Sequence, residues 1–261
     1  MLSAARRVFR KIFPRRRHPL LDAELVETGR DREFGSAYRD VVRAESADDD
    51  FVTERYAEGQ RWRGVLDHFA DGGRVIDIGA GNGAIELALM ADEKWRVVSV
   101  DRQWNETVRM LRSATGACVR RVIADIAHLP FRSSRFDVVT CLETIEHLAD
   151  ARSAASEMAR VTRPGGLLLV TTPPRFRFAL RRDPHFGIPG LLLFPAGVQR
   201  TIAARQGFSQ PHHFVDRIYS STRQLERLFS GYEQLVILSR SRAPRRWFWD
   251  ALIFRRRQSS G

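Results

Sequence analysis

Glycines and acidic residues at the ends of short apolar segments are the residues most suited to chemistry in this 261-residue sequence. The segment 75–78 carries the carboxylate of Asp77 and runs into the glycine-rich turn Gly79–Gly83. Glycines between a strand and a helix let a ligand approach closely, and the helix start offers free N–H groups. Asp101 and Asp125 end the next two segments, where carboxylates can bind ribose hydroxyls and an adenine amino group. Each aspartate alone also suits a turn or helix cap, and only the set favours a nucleoside-binding site.

A second group of chemically active residues follows the fourth apolar segment. Glu143, Glu146 and His147 lie within five positions of one another, and His185 lies in a loop-like stretch further along. A histidine suits proton removal from an acceptor hydroxyl near neutral pH. We therefore predict His147 and His185 as candidate bases, with a cap or packing role for the following helix as the alternative for His147.

The elements that must position these residues follow an alternating pattern. Short β-branched runs alternate with helical stretches from residue 74 onward, which is typical of a parallel sheet with crossover helices. We predict an α/β fold with a doubly wound sheet, helices on both faces, and the ligand beyond the carboxyl ends of the strands. The predicted strands are 75–78, 97–100, 119–124, 136–141, 167–171 and 234–238, and the predicted helices are 54–69, 84–90, 106–113, 151–161 and 222–229.

Taken together, these motifs resemble those of class I S-adenosylmethionine-dependent methyltransferases over about residues 56–174. The matching pieces are Val75–Gly83, Asp101, Ala124–Phe131, Phe136–Val139, Glu143–Leu148 and Arg163–Val170. The resemblance implies a Rossmann-like, seven-stranded, mostly parallel sheet with a reversed final strand, and S-adenosylmethionine as cofactor. It implies Gly79–Gly83 near the methionine moiety, Asp101 at the ribose, and Asp125 with Ile126 at the adenine. The complete set of expected cofactor contacts is Asp77, Gly79, Ala80, Gly81, Gly83, Asp101, Arg102, Asp125, Ile126 and Leu142.

The segment Glu143–His147 resembles the Glu-x-x-Glu-His element of ubiquinone-pathway O-methyltransferases, where it can hold a divalent cation. This resemblance implies Glu143, Glu146 and His147 as candidate ligands of Mg²⁺, which would polarise an acceptor hydroxyl. Glu143 thereby joins His147 and His185 in the candidate catalytic set. Many methyltransferases carry a similar element without a metal ion, so both alternatives stay open at this point.

The net charge of +12 is concentrated at the two ends of the chain, in residues 1–17 and 240–261. Both segments interleave arginines with large apolar side chains, a composition that suits an anionic membrane surface. The alternatives are a disordered first segment, a final sheet strand at 247–255 rather than an amphipathic helix, and nucleic-acid binding by both ends. We predict a basic tail and lead-in at 1–50, a methyltransferase domain at 51–255, and a basic tail at 256–261.

An insertion at about 175–215 is expected to cover the substrate, and its apolar part, 187–195, suits ordinary core packing, an acceptor pocket or lipid contact. These features favour O-methylation of a small or lipid-linked acceptor at a membrane surface. The alternatives are an RNA methyltransferase and a catalytically inactive, cofactor-binding regulatory protein.

Two cysteines and the lack of an apolar run of about 18 residues lead us to expect a cytoplasmic protein that is peripheral on the membrane. An organelle-targeting leader in residues 1–17 is the minor alternative.

Overall fold

The computed structural model describes residues 29–45, 49–102, 116, 120–178, 187–207, 217–239 and 249–258. The predicted helix at 106–113, His185 and the basic segment 1–17 lie outside the described residues. The helices are α1 (Gly29–Glu45), α2 (Asp49–Leu66), α3 (Ala84–Met90), α4 (Ala151–Val161), α5 (Ala196–Arg205) and α6 (Thr222–Leu228), with 3₁₀ helices at Ile145–His147, Arg175–Phe178 and Leu191–Leu193. The strands are β1 (Gly73–Ile78), β2 (Trp95–Asp101), β3 (Arg120–Ile123), β4 (Phe136–Leu142), β5 (Thr162–Thr171), β6 (Tyr232–Leu238) and β7 (Ala251–Arg256).

The strands form one seven-stranded sheet in the order β3-β2-β1-β4-β5-β7-β6. Strands β1 to β5 pair in parallel, whereas β7 is antiparallel to both of its neighbours, β5 and β6. The order reverses between β1 and β4, and such a reversal opens a crevice at the carboxyl ends of the two strands. The predictions of a Rossmann-like, mostly parallel sheet and of a reversed final strand are therefore confirmed.

Alternation of side chains along the strands supplies a separate apolar core to each face of the sheet. On one face, Ile76 and Val139 pack with Met158 of α4. On the other face, Val75 and Val97 pack with the apolar side of α2. Helix α4 begins where Asp150 accepts a hydrogen bond from the backbone N–H of Ser153, and α6 begins with a capping box of Ser221 and Gln224.

The sequence left residues 18–50 of the predicted lead-in as either helical or irregular, and the structure has a helix at Gly29–Glu45. Helix α1 packs on the domain through the buried ring of Phe34, and Arg30 forms an ion pair of 3.0 Å with Glu93. Helix α2 begins at Asp49, so the predicted boundary at residue 50 falls inside a helix. Strand β7 likewise continues through Arg256, one residue into the predicted tail 256–261.

The alternatives left open for the end of the chain are decided in favour of a strand. Leu252, Ile253 and Phe254 of β7 and the preceding Trp249 are buried in the core. Their apolar side chains are therefore unavailable for contact with lipid. Among the described residues, no helix has the length and apolar character needed to cross a membrane.

Candidate cofactor and active site

The glycine-rich turn joins β1 to α3 with three residues in the left-handed region. Gly79, Gly81 and Gly83 have φ angles of 72°, 52° and 84°. A Cβ atom on Gly79 would overlap the side chain of Thr144, whereas a Cβ on Gly81 would meet no atom within 4 Å. Glycine at 79 is therefore required for packing, and glycine at 81 leaves open space in front of the turn.

Asp101 connects the end of β2 to this turn. Its Oδ2 atom accepts a hydrogen bond of 2.9 Å from the backbone N–H of Gly81. The backbone N–H of Gly79 donates to the carbonyl of Val100 over 2.8 Å. These two hydrogen bonds hold the glycine-rich turn next to the end of β2, at the carboxyl edge of the sheet.

Arg121 of β3 is a structural part of the site that the sequence analysis missed. Its Nη1 atom donates a hydrogen bond of 2.7 Å to the carbonyl of Gly81, and its Nε donates to Ser99 Oγ over 3.4 Å. Its Nη2 atom lies 3.4 Å from Glu86 Oε2 of α3, and both side chains are only 1% exposed. Burial raises the pKa of Glu86 to about 8, although the guanidinium of Arg121 acts in the opposite direction. The available signal was the pair of arginines, Arg120 and Arg121, within an otherwise apolar segment.

Asp77 lies buried beneath the turn, on β1. Its Oδ1 atom accepts a hydrogen bond of 2.6 Å from Thr140 on the neighbouring strand β4. Its Oδ2 atom is buried and has no hydrogen-bond partner among the described residues. Burial raises the pKa of Asp77 to about 6, with the hydrogen bond from Thr140 opposing this change. A buried carboxylate oxygen without a partner is a polar feature that a bound ligand can satisfy.

The other expected cofactor contacts lie along the same edge of the sheet. The backbone N–H of Ala124 donates to the carbonyl of Asp101 over 3.1 Å, which brings the segment after β3 next to the end of β2. Asp125 is exposed and accepts a hydrogen bond from Ala127 N, whereas Ile126 is buried in the core. Of the remaining three, Ala80 is buried within the turn, Arg102 is exposed after β2, and Leu142 is half-buried at the end of β4.

Glu143 follows β4 in a backbone conformation that is unusual for a residue with a side chain. Its φ angle is 48°, and its backbone N–H donates a hydrogen bond of 2.9 Å to Thr171 Oγ1. The hydroxyl of the next residue, Thr144, donates to the carbonyl of Leu142 over 2.9 Å and lies 3.5 Å from the carbonyl oxygen of Gly79, so Glu143 lies beside the glycine turn. Burial of its carboxyl group raises the pKa of Glu143 to about 7. A strained backbone and a raised pKa are common properties of catalytic groups.

The described residues do not form the three-ligand metal site that was predicted. Glu146 and His147 are consecutive residues of a 3₁₀ helix. The side chain of Glu146 is 1% exposed and that of His147 is 29% exposed, with 4.0 Å between Oε1 and Nε2. Burial and the nearby charge of Glu143 hold the pKa of Glu146 well above its usual range. Within the described ranges, no group of three His, Cys, Asp or Glu residues could hold a metal ion, so the expectation of Mg²⁺ at Glu143, Glu146 and His147 is not supported.

Comparison with known proteins agrees with this geometry. Residues 76–170 match a family model described as a methyltransferase domain. The demethylmenaquinone methyltransferase of Mycobacterium tuberculosis (strain H37Rv) is 36% identical over 111 residues, which cover 41% of this chain and 45% of that protein. The match thus spans less than half the length of the curated relatives.

Solved structures share the fold at low sequence identity. A SAM-dependent methyltransferase from Methanosarcina mazei is 16% identical, with a TM-score of 0.54 over 75% of this chain and 98% of its own. A Burkholderia thailandensis 1,6-didemethyltoxoflavin-N1-methyltransferase, solved with S-adenosylhomocysteine bound, is also 16% identical, with a TM-score of 0.53 over 91% of this chain and 93% of its own. These likenesses extend the agreement in fold well beyond residues 76–170.

Proposed function

This chain carries a class I S-adenosylmethionine-dependent methyltransferase domain, and from that premise we propose that it methylates a hydroxyl group of a small hydrophobic or lipid-linked acceptor. The observation that carries the proposal is the position of Glu143. Its carboxyl group has a pKa of about 7, and the residue that follows it, Thr144, contacts Gly79 of the glycine turn. This arrangement puts a candidate base beside the candidate cofactor site.

The residues at the carboxyl edge of the sheet fit S-adenosylmethionine. The space in front of Gly81, the buried Oδ2 of Asp77 and the carboxylate of Asp101 offer room and polar partners along one crevice. In this proposal the glycine turn holds the methionine portion, Asp101 binds the ribose, and Asp125 with Ile126 binds the adenine. When bound, S-adenosylmethionine supplies an electrophilic methyl group on a sulfonium.

Glu143 is the proposed general base. The Glu143 carboxylate would take the proton of the acceptor hydroxyl, whose oxygen would receive the methyl group that bound S-adenosylmethionine would supply. With a pKa of about 7, Glu143 exists partly as the carboxylate near neutral pH and is basic enough to take that proton. His147, partly exposed on the adjacent 3₁₀ helix, and His185, outside the described residues, stay secondary candidates.

An apolar surface on the insertion supports a hydrophobic acceptor. Leu191 and Leu192 are buried, whereas Leu193, Phe194 and Val198 are 43%, 47% and 42% exposed. The curated relatives are named for demethylmenaquinone, which makes a quinone-like acceptor the first class to test. We propose that the same exposed side chains meet a membrane and that the basic composition of residues 1–17 adds affinity for anionic lipid.

The test follows labelled methyl groups from S-adenosylmethionine into a cell extract separated into lipid, small-molecule and RNA fractions. We expect label in the lipid or small-molecule fraction as an alkali-stable methyl ether. The Glu143→Gln variant should reduce kcat at least tenfold and remove the rise in rate with pH near 7, because the amide cannot accept the proton. The control variant Glu233→Gln changes an exposed residue of β6 and should behave like the wild type. Label confined to RNA, or an unchanged kcat for Glu143→Gln, would contradict the proposal.

A further inference from the structure

A cavity of about 560 Å³ lies at the amino-terminal ends of strands β1 to β4. Strand β2 runs from Trp95, which lines this cavity, to Asp101 at the glycine turn, a length of roughly 20 Å. The cavity is therefore at the opposite edge of the sheet from the candidate cofactor site. A ligand in it would not contact the reacting groups.

The cavity has a strongly basic lining, with five arginines against one acidic residue, Glu93. Arg30 forms an ion pair of 3.0 Å with Glu93, and Arg74 lies 3.5 Å from Asp137. In the part of the chain that the structure describes, no ion pair or side-chain hydrogen bond engages the other three lining arginines, Arg96, Arg120 and Arg135.

The sheet itself brings three of these arginines to one face. Arg74 of β1 and Arg96 of β2 are register partners in adjacent parallel strands. Arg120 is the partner of Val98, two residues beyond Arg96, so alternation along the strands places all three on the same side. Like charges on adjacent strands repel each other and destabilise the sheet. A bound anion would remove this repulsion.

The wall of the cavity is apolar as well as basic. The rings of Phe131 and Phe136 meet edge to face with their centroids 5.2 Å apart. Val98 extends the same surface. An inorganic anion alone would leave this apolar surface in contact with water. We propose that the cavity binds an anionic amphiphile, in which a phosphate or carboxylate group contacts Arg96 and Arg120 and an attached alkyl chain covers the apolar wall.

Calorimetric titration of the full-length protein with octyl phosphate, below the concentration at which it forms micelles, tests this proposal. We expect saturable binding to the wild type and at least tenfold weaker binding to the double variant Arg96→Ala/Arg120→Ala. The matched control Arg205→Ala/Arg223→Ala removes two exposed arginines from α5 and α6 and should bind within twofold of the wild type. Inorganic phosphate should bind at least tenfold more weakly than octyl phosphate, because it lacks the apolar chain.

Sedimentation with phosphatidylglycerol vesicles then identifies the source of the amphiphile. A membrane lipid is indicated if Arg96→Ala/Arg120→Ala sediments less than the control double variant, and a free amphiphile is indicated if the two sediment equally. The proposal is overturned if octyl phosphate binds the cavity variant as tightly as the wild type, or if inorganic phosphate binds as tightly as octyl phosphate. Affinity for S-adenosylmethionine should be the same in both double variants, which separates failure of this site from failure of the proposed methyl transfer.

Discussion

Asp101 is the individual residue on which the cofactor assignment depends most. It ends β2, and one of its carboxylate oxygens accepts a hydrogen bond from Gly81 N. We predict that Asp101→Asn weakens binding of S-adenosylmethionine at least tenfold, because a hydrogen bond to a charged group contributes about 1.5–3 kcal/mol. Calorimetric titration measures this effect, with exposed Asp71→Asn as the control. Unchanged affinity in a folded Asp101→Asn variant would refute the ribose assignment.

Gly81 permits a sharper distinction between folding and ligand binding. Alanine at this position must adopt a φ of 52°, yet its Cβ would meet no atom of the protein within 4 Å. Gly116, with a φ of 64° and similarly open surroundings, is a matched control for the backbone strain. We expect both alanine variants to lose about 1–2 kcal/mol of stability in urea. Only Gly81→Ala should also weaken cofactor binding; equal affinities for the two variants would show that the space in front of the turn is not used.

Strands β1, β4 and β5 illustrate what the sequence predicts well. Their apolar runs are largely buried on both faces, so apolar character alone locates them. The acids at the strand ends then predict a common crevice. The bounds of helix α1 could not be predicted, because Gly29–Glu45 is mostly polar and suits either a helix or an irregular segment. The Mg²⁺ prediction is not supported, because a short sequence motif does not specify whether three ligand side chains converge, and among the described residues no group of three does so.

The contact between β3, α3 and the glycine turn also lay beyond sequence reasoning. Arg121 and Glu86 are 35 positions apart, and only the sheet brings them within 3.4 Å. Nothing in the local pattern of either element predicts that pairing. The basic cavity was missed for the same reason, since Arg74, Arg96 and Arg120 become neighbours only through strand register.

The buried pair between β3 and α3 makes a prediction about two elements at once. At a pH above the Glu86 pKa of about 8, Arg121→Met leaves a buried carboxylate without its cation and should lower the free energy of unfolding by about 3 kcal/mol. The double variant Arg121→Met/Glu86→Leu should recover most of this loss, because apolar residues replace a buried ion pair at little cost. Cofactor affinity should stay reduced in both variants, since each lacks the hydrogen bond to Gly81 O. Urea unfolding and calorimetry measure the two effects, and recovery of affinity in the double variant would contradict the proposed role of Arg121 in holding the turn.

The buried carboxyl groups among the described residues predict how the stability of the protein depends on pH. Burial raises the pKa of Asp77, Glu143 and Glu86 to about 6, 7 and 8 in the folded protein. The unfolded chain releases these protons at ordinary values near pH 4, so between pH 5.5 and 8 the folded state binds more protons. The stability contributed by these three groups is therefore fully present below their pKa values in the unfolded chain. It is lost as the pH rises through their pKa values in the folded protein. The lowered pKa values of Asp137 and Glu157 act in the opposite sense, but their contribution is lost only on acidification below this window.

Cofactor-free protein should accordingly unfold at a lower urea concentration at pH 8 than at pH 5.5, with a difference on the order of a few kcal/mol in the free energy of unfolding. Glu86→Gln should show a shallower pH dependence, because its amide has no proton to release. The exposed control Glu233→Gln should retain the wild-type slope. Stability that is constant or rises from pH 5.5 to 8 would show that these carboxyl groups ionise in the folded protein without the expected cost. It would then remove the reason for assigning a near-neutral pKa to Glu143 as the base in methyl transfer.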